Sequence, residues 1–173
     1  MPIYSLDGIA PEIASTAYIH PDAVIIGQVF IGEESSVWPT AVIRGDWLPI
    51  RVGRRTSIQD GSVIHVARQQ ETVIGSECTI GHGAHAESCT IGEGVLVGSR
   101  SAVLNGAVVG DDAVIGAGCV VTPRTVVPPG ATVLGVPGRI QESAREARRT
   151  SRGAVVPYVE NGRRYRRTLR RID

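Results

Sequence analysis

"CTIGEGVLVGSRSAVLNGAVVGDDAVIGAG", residues 89–118, returns to an aliphatic side chain at every sixth position: Ile91, Val97, Val103, Val109 and Ile115. A helix repeats its apolar face every three or four residues and a half-buried strand every two, so a period of six is neither alone. It fits short strands joined by tight corners, with three hexads closing one triangular coil whose aliphatic side chains stack into a core. β-Branched residues suit a flat stacked sheet, and the glycines that often follow them tolerate the corners.

Outward from that stretch the same frame runs on through Val121, Val127 and Val133. Upstream it collects Ile74, Ile80 and Ala86, then Val52, Ile58 and Ile64, then Ile13, Ile19, Ile25, Ile31, Val37 and Ile43. The expected fold class is therefore all-β, a parallel β-helix of hexapeptide repeats over residues 1–138. Residues 139–173 should form a C-terminal helix and an Arg-rich tail packing on that solenoid within one structural domain. The helix is expected over "QESAREARR" (141–149), a run of good helix formers with arginine towards its end.

The frame breaks three times. Nine residues separate Ile43 from Val52 across "GDWLP", ten separate Ile64 from Ile74 across "ARQQE", and only five separate Ala86 from Ile91. Solenoid insertions leave the core alone and project as loops, where function collects.

A net charge of +1 gives no argument for nucleic-acid or membrane binding, but the charge is unevenly placed. Residues 1–138 carry 7 Arg against 13 acids, and residues 139–173 carry 11 Arg against 4. The basic tail is expected to neutralise the acidic coil rather than to bind nucleic acid. The opening "MPIYSLDGIAPEI" lacks the basic and apolar runs of a secretory leader, and no stretch approaches a spanning helix. Cys78, Cys89 and Cys119 match neither a disulfide framework nor a zinc knuckle. A reduced, cytoplasmic protein is expected.

The frame also places the polar residues. His65 follows Ile64 and Glu87 follows Ala86, so the two should stack one coil apart on the same outer face, about 4.8 Å between strands. Both could reach one cation. His85, two residues before Glu87, shares that face by strand alternation and is the rival ligand. His82 belongs to the preceding hexad, roughly 16 Å from Glu87 along an extended strand. If His82 is a ligand it must come from a neighbouring copy, which asks for a cyclic oligomer with sites between subunits. His20 stands alone and reads as ordinary surface.

The stretch "HPDAVIIGQVFIGEESSVWPTAVIRGDWLPIRVGRRTSIQDGSVIH" (20–65), with its "VIRGD" and "IQDGSVIH" motifs and the later "TIGHG", resembles the γ-class carbonic anhydrase-like family. The resemblance covers about residues 3–160. It implies a left-handed β-helix, a C-terminal helix along it, and a homotrimer with a metal site at each interface, holding Zn2+ or in its place Fe2+ or Co2+. Residue by residue, His65 matches the first histidine ligand and His82 the ligand given by the adjacent subunit. Glu87 stands where the family has its third histidine, and His85 lies two residues too early to match. Gln59 matches a glutamine that positions the metal-bound water. Arg44, Asp46 and Asp60 match a charged network across the subunit interface. Tyr158 in "PYVENG" resembles a tyrosine near the metal. Ser57 replaces a family asparagine, and the short loop after His65 offers only Glu71 as a proton-shuttling glutamate.

The implied activity is reversible hydration of CO2. Zinc accepts two His and one Glu, but an anionic ligand cancels part of the charge that makes hydroxide available near neutral pH. A weak carbonic anhydrase is expected, or an enzyme redirected to hydration, dehydration, hydrolysis or cyclisation of another small carbonyl compound. The alternatives are an acyltransferase, for which "GVPGRI" and a basic His85 would speak, and a non-catalytic trimeric scaffold of the same family.

Overall fold

The computed structural model describes residues 2–141 and 144–173, with helix side chains described from Ser151 onward. Short strands wind into a left-handed parallel β-helix of about seven turns, followed by one C-terminal helix. The hexad frame is the register of the coil. One edge stacks Ile25, Ile43, Ile64, Ala86, Val103 and Val121, each the direct parallel partner of the next. A second stacks Ile31, Val52, Ile74, Ile91, Val109 and Val127. The third stacks Ile19, Val37, Ile58, Ile80, Val97, Ile115 and Val133. All are buried and belong to one continuous apolar core.

Close stacking demands small corners. A Cβ on Gly53 would lie 2.5 Å from the Ser76 amide nitrogen and 2.6 Å from the Gly75 carbonyl carbon, so only glycine lets adjacent turns meet there.

Two of the three breaks in the frame widen the coil without disturbing its stack. The residues across "GDWLP" stay in one long strand, Val42–Val52, which is hydrogen-bonded to Val24–Ile31 with a register shift between Gly27 and Val29. The residues after His65 form a loop closed by an antiparallel bridge between Ala67 and Gln70. The short step after Ala86 is turned by Ser88, whose hydroxyl accepts the Ala67 amide at 2.7 Å.

The C-terminal segment departs from expectation. Arg139–Gln141 is a strand antiparallel to Thr132–Leu134, and the helix spans Ala144–Thr168, so most of the basic tail is helical. Glu142 and Ser143, near the start of the expected helix, lie outside the described residues. The reason for the extension is tertiary. Ser151, Val155, Val159 and Gly162 recur at helical spacing and are buried, turning one face to the coil while Arg152, Arg163, Arg164, Arg166 and Arg167 stay outside. That face meets the third edge from its first rungs to Val114–Ile115. An aromatic cluster pins it, Trp38 lying 5.1 Å from Tyr165 and 6.1 Å from Tyr158 between ring centroids. Trp38 Nε1 donates to both Ser36 and Ser57 hydroxyls.

The acidic coil and basic helix also meet through ion pairs. A ladder runs from Arg163 to Glu34 (2.7 Å), to Arg55 (3.4 Å), to Glu77 (3.5 Å), to Arg152 (3.0 Å) and to Asp112 (2.5 Å). The expected neutralisation is thus local and specific at Arg152 and Arg163. No described helix is long and apolar enough to cross a membrane.

Candidate functional site

Arg44, His65 and Glu87 occupy three consecutive rungs of one outward column, each the direct register partner of the next. They follow Ile43, Ile64 and Ala86 on the first buried edge, so the core that fixes those three also fixes the polar column. Strand alternation then puts His85 on the same face as Glu87.

His65 lies between two carboxylates. Its Nδ1 is 3.2 Å from Glu87 Oε1 and its Nε2 is 3.1 Å from Asp46 Oδ1. A neutral imidazole has one N–H and can donate to only one of them. Completing both contacts takes one more proton in the group, or a cation beside the ring. Arg44 pairs with the other Asp46 oxygen. Glu87 in turn reaches His85, Oε2 to Nε2, at 3.3 Å. The site is partly sheltered: His65 retains 18% of its side-chain exposure and Glu87 25%.

His82 is not part of this group. Its Nδ1 meets Asp60 Oδ2 at 2.9 Å, and both side chains are about half exposed. It lines a separate cleft of about 360 Å³ between coil and helix, together with Gln59 and Tyr158. Gln59 is buried there, and Tyr158 is held edge-on to Trp38. The sequence-predicted residues therefore fall into two groups within one chain: Arg44, Asp46, His65, His85 and Glu87 on one, and Gln59, Asp60, His82 and Tyr158 on the other. Among the described residues no three His, Cys, Asp or Glu side chains are grouped as a ready metal-holding set.

Asp46, which the resemblance assigns to an interface network, also meets His65 within the chain, a contact that sequence reasoning did not anticipate. The signal lay in the "GDWLP" break, which carries Asp46 beside the histidine. Arg68 and Trp47 were not singled out at all. They stand on the two insertion segments, and the Arg68 guanidinium lies 3.7 Å above the Trp47 ring. Glu71, the only glutamate on the loop, is paired with Arg51 at 3.2 Å. His20 accepts the Asp22 amide and joins no cluster with the other histidines.

The cysteines are free and buried. Burial pushes the Cys78 and Cys89 thiols up to about 12, so neither supplies a thiolate at neutral pH.

A fit for zinc is testable on spacing. With ligand bonds of 2.0–2.1 Å, the edge of a tetrahedral zinc site is about 3.3 Å. The His65 Nδ1–Glu87 Oε1 separation of 3.2 Å suits that edge, whereas His85 meets the other carboxylate oxygen, Oε2, at 3.3 Å, so the two contacts do not by themselves define one three-ligand site. Two imidazole nitrogens and one carboxylate are also acceptable zinc donors.

Comparison with known proteins places the chain. The family profile described as "Bacterial transferase hexapeptide (six repeats)" matches residues 88–123. A protein named carbonic anhydrase from Geobacillus kaustophilus is 37% identical over 169 residues, covering 95% of this chain and 91% of that one. The carnitine operon protein CaiE of a Proteus strain is 41% identical over 113 residues, 65% of this chain, and the match spans 57% of its length. Among solved structures, a hexapeptide transferase family protein from Anaplasma phagocytophilum superposes with a TM-score of 0.90 at 34% identity, covering 95% of this chain and 98% of that one. A candidate acetyltransferase from Bacillus cereus reaches 0.92 at 36% identity, covering 95% of this chain and 96% of that one. Near-complete coverage at this identity, on the coil and the column of Arg44, His65 and Glu87 that it fixes, makes the chain a member of the γ-class carbonic anhydrase-like family of hexapeptide-repeat proteins.

Proposed function

We propose that this chain is a metal-dependent, carbonic anhydrase-like enzyme that hydrates CO2 slowly or acts on another small carbonyl compound. The observation that carries the reading is His65 held between Asp46 and Glu87, an arrangement that a cation beside the ring completes. His65 and Glu87 of one subunit, with His82 of a neighbouring copy in a homotrimer, would hold the ion, with His85 the rival to Glu87. When bound, a divalent ion such as zinc supplies the Lewis acidity that makes hydroxide available near neutral pH.

The chain's own residues then divide the work. Asp46, braced by Arg44, accepts from the Nε2–H of His65 and so fixes the ring and its tautomer. Glu87 contributes a negative charge that weakens the electrostatic advantage of an all-histidine site. Gln59, buried in the cleft beside His82, would hold a water or substrate oxygen across the trimer interface.

Elemental analysis of purified protein should find about one zinc, iron or cobalt per chain. Stopped-flow CO2 hydration should be slow in the native protein and faster in Glu87→His. Metal-free trimers, or equal rates in the two proteins, would overturn the reading.

A second reading is a non-catalytic scaffold. It is favoured by the same contacts, because both ring nitrogens of His65 already have partners within the chain. The names of the Anaplasma and Bacillus relatives keep an acyltransferase as the third outcome of the metal analysis.

A further inference from the structure

We propose that Arg68, seated on Trp47, is the carboxylate-binding group for an organic substrate: an aliphatic carboxylic acid derivative with an apolar body. This deepens the metalloenzyme reading and rests on it for the position of the reacting carbon, while the anion site itself does not need the metal.

The two residues come from different insertions, yet they clasp each other. Trp47 follows Asp46, which holds His65, and Arg68 follows Ala67, whose amide is fixed by the hydroxyl of Ser88, next to Glu87. Both ends of the clasp are thereby tied to the residues that frame the site. Stacking covers one face of the guanidinium and leaves the N–H groups in its plane, the edge that takes a carboxylate bidentately.

Charge and exposure argue for an anion. Arg68 has no acidic partner among the described residues, whereas the nearby acids are already engaged. Asp46 is shared by Arg44 and His65, and Glu71 is held by Arg51. Trp47 is 52% exposed, and a small cleft joins it to Leu6 and Ile9, themselves 37% and 48% exposed. Asp7 in the same cleft has no basic partner among the described residues, which disfavours an anionic group at that end and leaves Arg68 to take it. Trp47 thus carries Arg68 on its ring face and opens along its cleft to Leu6 and Ile9, an arrangement that suits a ligand with one anionic end and one apolar flank. Bicarbonate has no such flank.

The test is a titration of the full chain, at constant ionic strength, with butyrate, butyramide and bicarbonate, followed by tryptophan emission. The chain has two tryptophans, and Trp38 is buried among Tyr18, Tyr158 and Tyr165, so a ligand-dependent shift reports Trp47. Butyrate should bind saturably, at least about tenfold more tightly than either butyramide or bicarbonate. Arg68→Gln should weaken butyrate about tenfold with its melting temperature unchanged, and Arg68→Lys should restore part of the loss. Undiminished binding by Arg68→Gln, or equal binding of butyramide or bicarbonate, overturns the proposal. Zinc content measured on the same samples separates the two readings. Arg68-dependent butyrate binding in a protein that takes up no zinc sinks the metalloenzyme reading alone. Zinc uptake without a butyrate response sinks this one alone.

Discussion

Arg152 of the C-terminal helix donates to Asp112, a carboxylate on the coil that retains only 5% of its exposure. The same guanidinium reaches Glu77, two rungs from Asp112, and the charge-assisted bonding to Asp112 holds the Arg152 pKa above its ordinary value. Arg152→Ala should destabilise the protein by about 1–2 kcal/mol, because it removes a hydrogen bond to a sheltered charge. Exposed Arg166→Ala should change almost nothing. Chemical denaturation of the two variants provides the comparison.

Glu34 gives the ladder a pH dependence. Its hydrogen bond to Arg163, aided by the charges of Arg163 and Arg55, holds its carboxyl below the ordinary value of 4.5. A carboxyl depressed on folding stabilises the native state above its unfolded pKa and loses that contribution as pH falls through the folded one. Helix docking should therefore weaken below about pH 4.5, followed by thermal melts across pH 3–6. Glu34→Gln should flatten that part of the profile. An unchanged acid limb in Glu34→Gln would show that Glu34 is not its source.

Ile80 sits in the middle of the third edge, fully buried between Ile58 and Val97. Ile80→Ala should cost about 2–5 kcal/mol, as expected for a large-to-small change in a packed core. Differential scanning calorimetry would read the loss.

Gly53→Ala tests the close stacking of turns. The added methyl has only backbone for neighbours at 2.5–2.7 Å, so adjacent rungs must separate. A loss of at least about 1–3 kcal/mol is expected. By contrast Gly118→Ala meets no atom within 4 Å, and its cost should come only from a φ of +67°.

Asp46→Asn addresses the site. An amide in place of the carboxylate still reaches the His65 ring but no longer favours a cation beside it. Zinc affinity, by competition with a chelator, should fall about 10–100-fold, the usual cost of losing such a supporting contact.

The coil was legible because its core repeats: every aliphatic position from Ile13 to Val133 in the six-residue frame takes the register that counting assigns it. The His65–Glu87 stack was legible for the same reason, since neighbours in the frame are neighbours in space. What escaped lay where no period operates. The contact of Asp46 with His65 and the stack of Arg68 on Trp47 arise at the insertions, where side-chain contacts rather than counting set the arrangement. The helix was under-read because its buried stripe of Ser151, Val155, Val159 and Gly162 is weakly apolar, interrupted by Pro157 and crowded by arginine. Its stability comes from the aromatic and ionic contacts with the coil, which no local propensity reveals.

A stack of repeats ordinarily obeys nearest-neighbour rules, each rung supported only by those above and below, so its ends fray independently of its middle. The C-terminal helix cancels that independence. Running along one face, it touches early and late rungs alike and ties Glu34 to Asp112 through one continuous set of charges. Rungs far apart in the solenoid thus share a common strut, and loosening one end loosens the other. Trp47, on the long strand Val42–Val52, and Arg68, on the loop after His65, stand away from the third edge along which that strut lies, so they can vary in sequence while the scaffold that aims them melts as a unit.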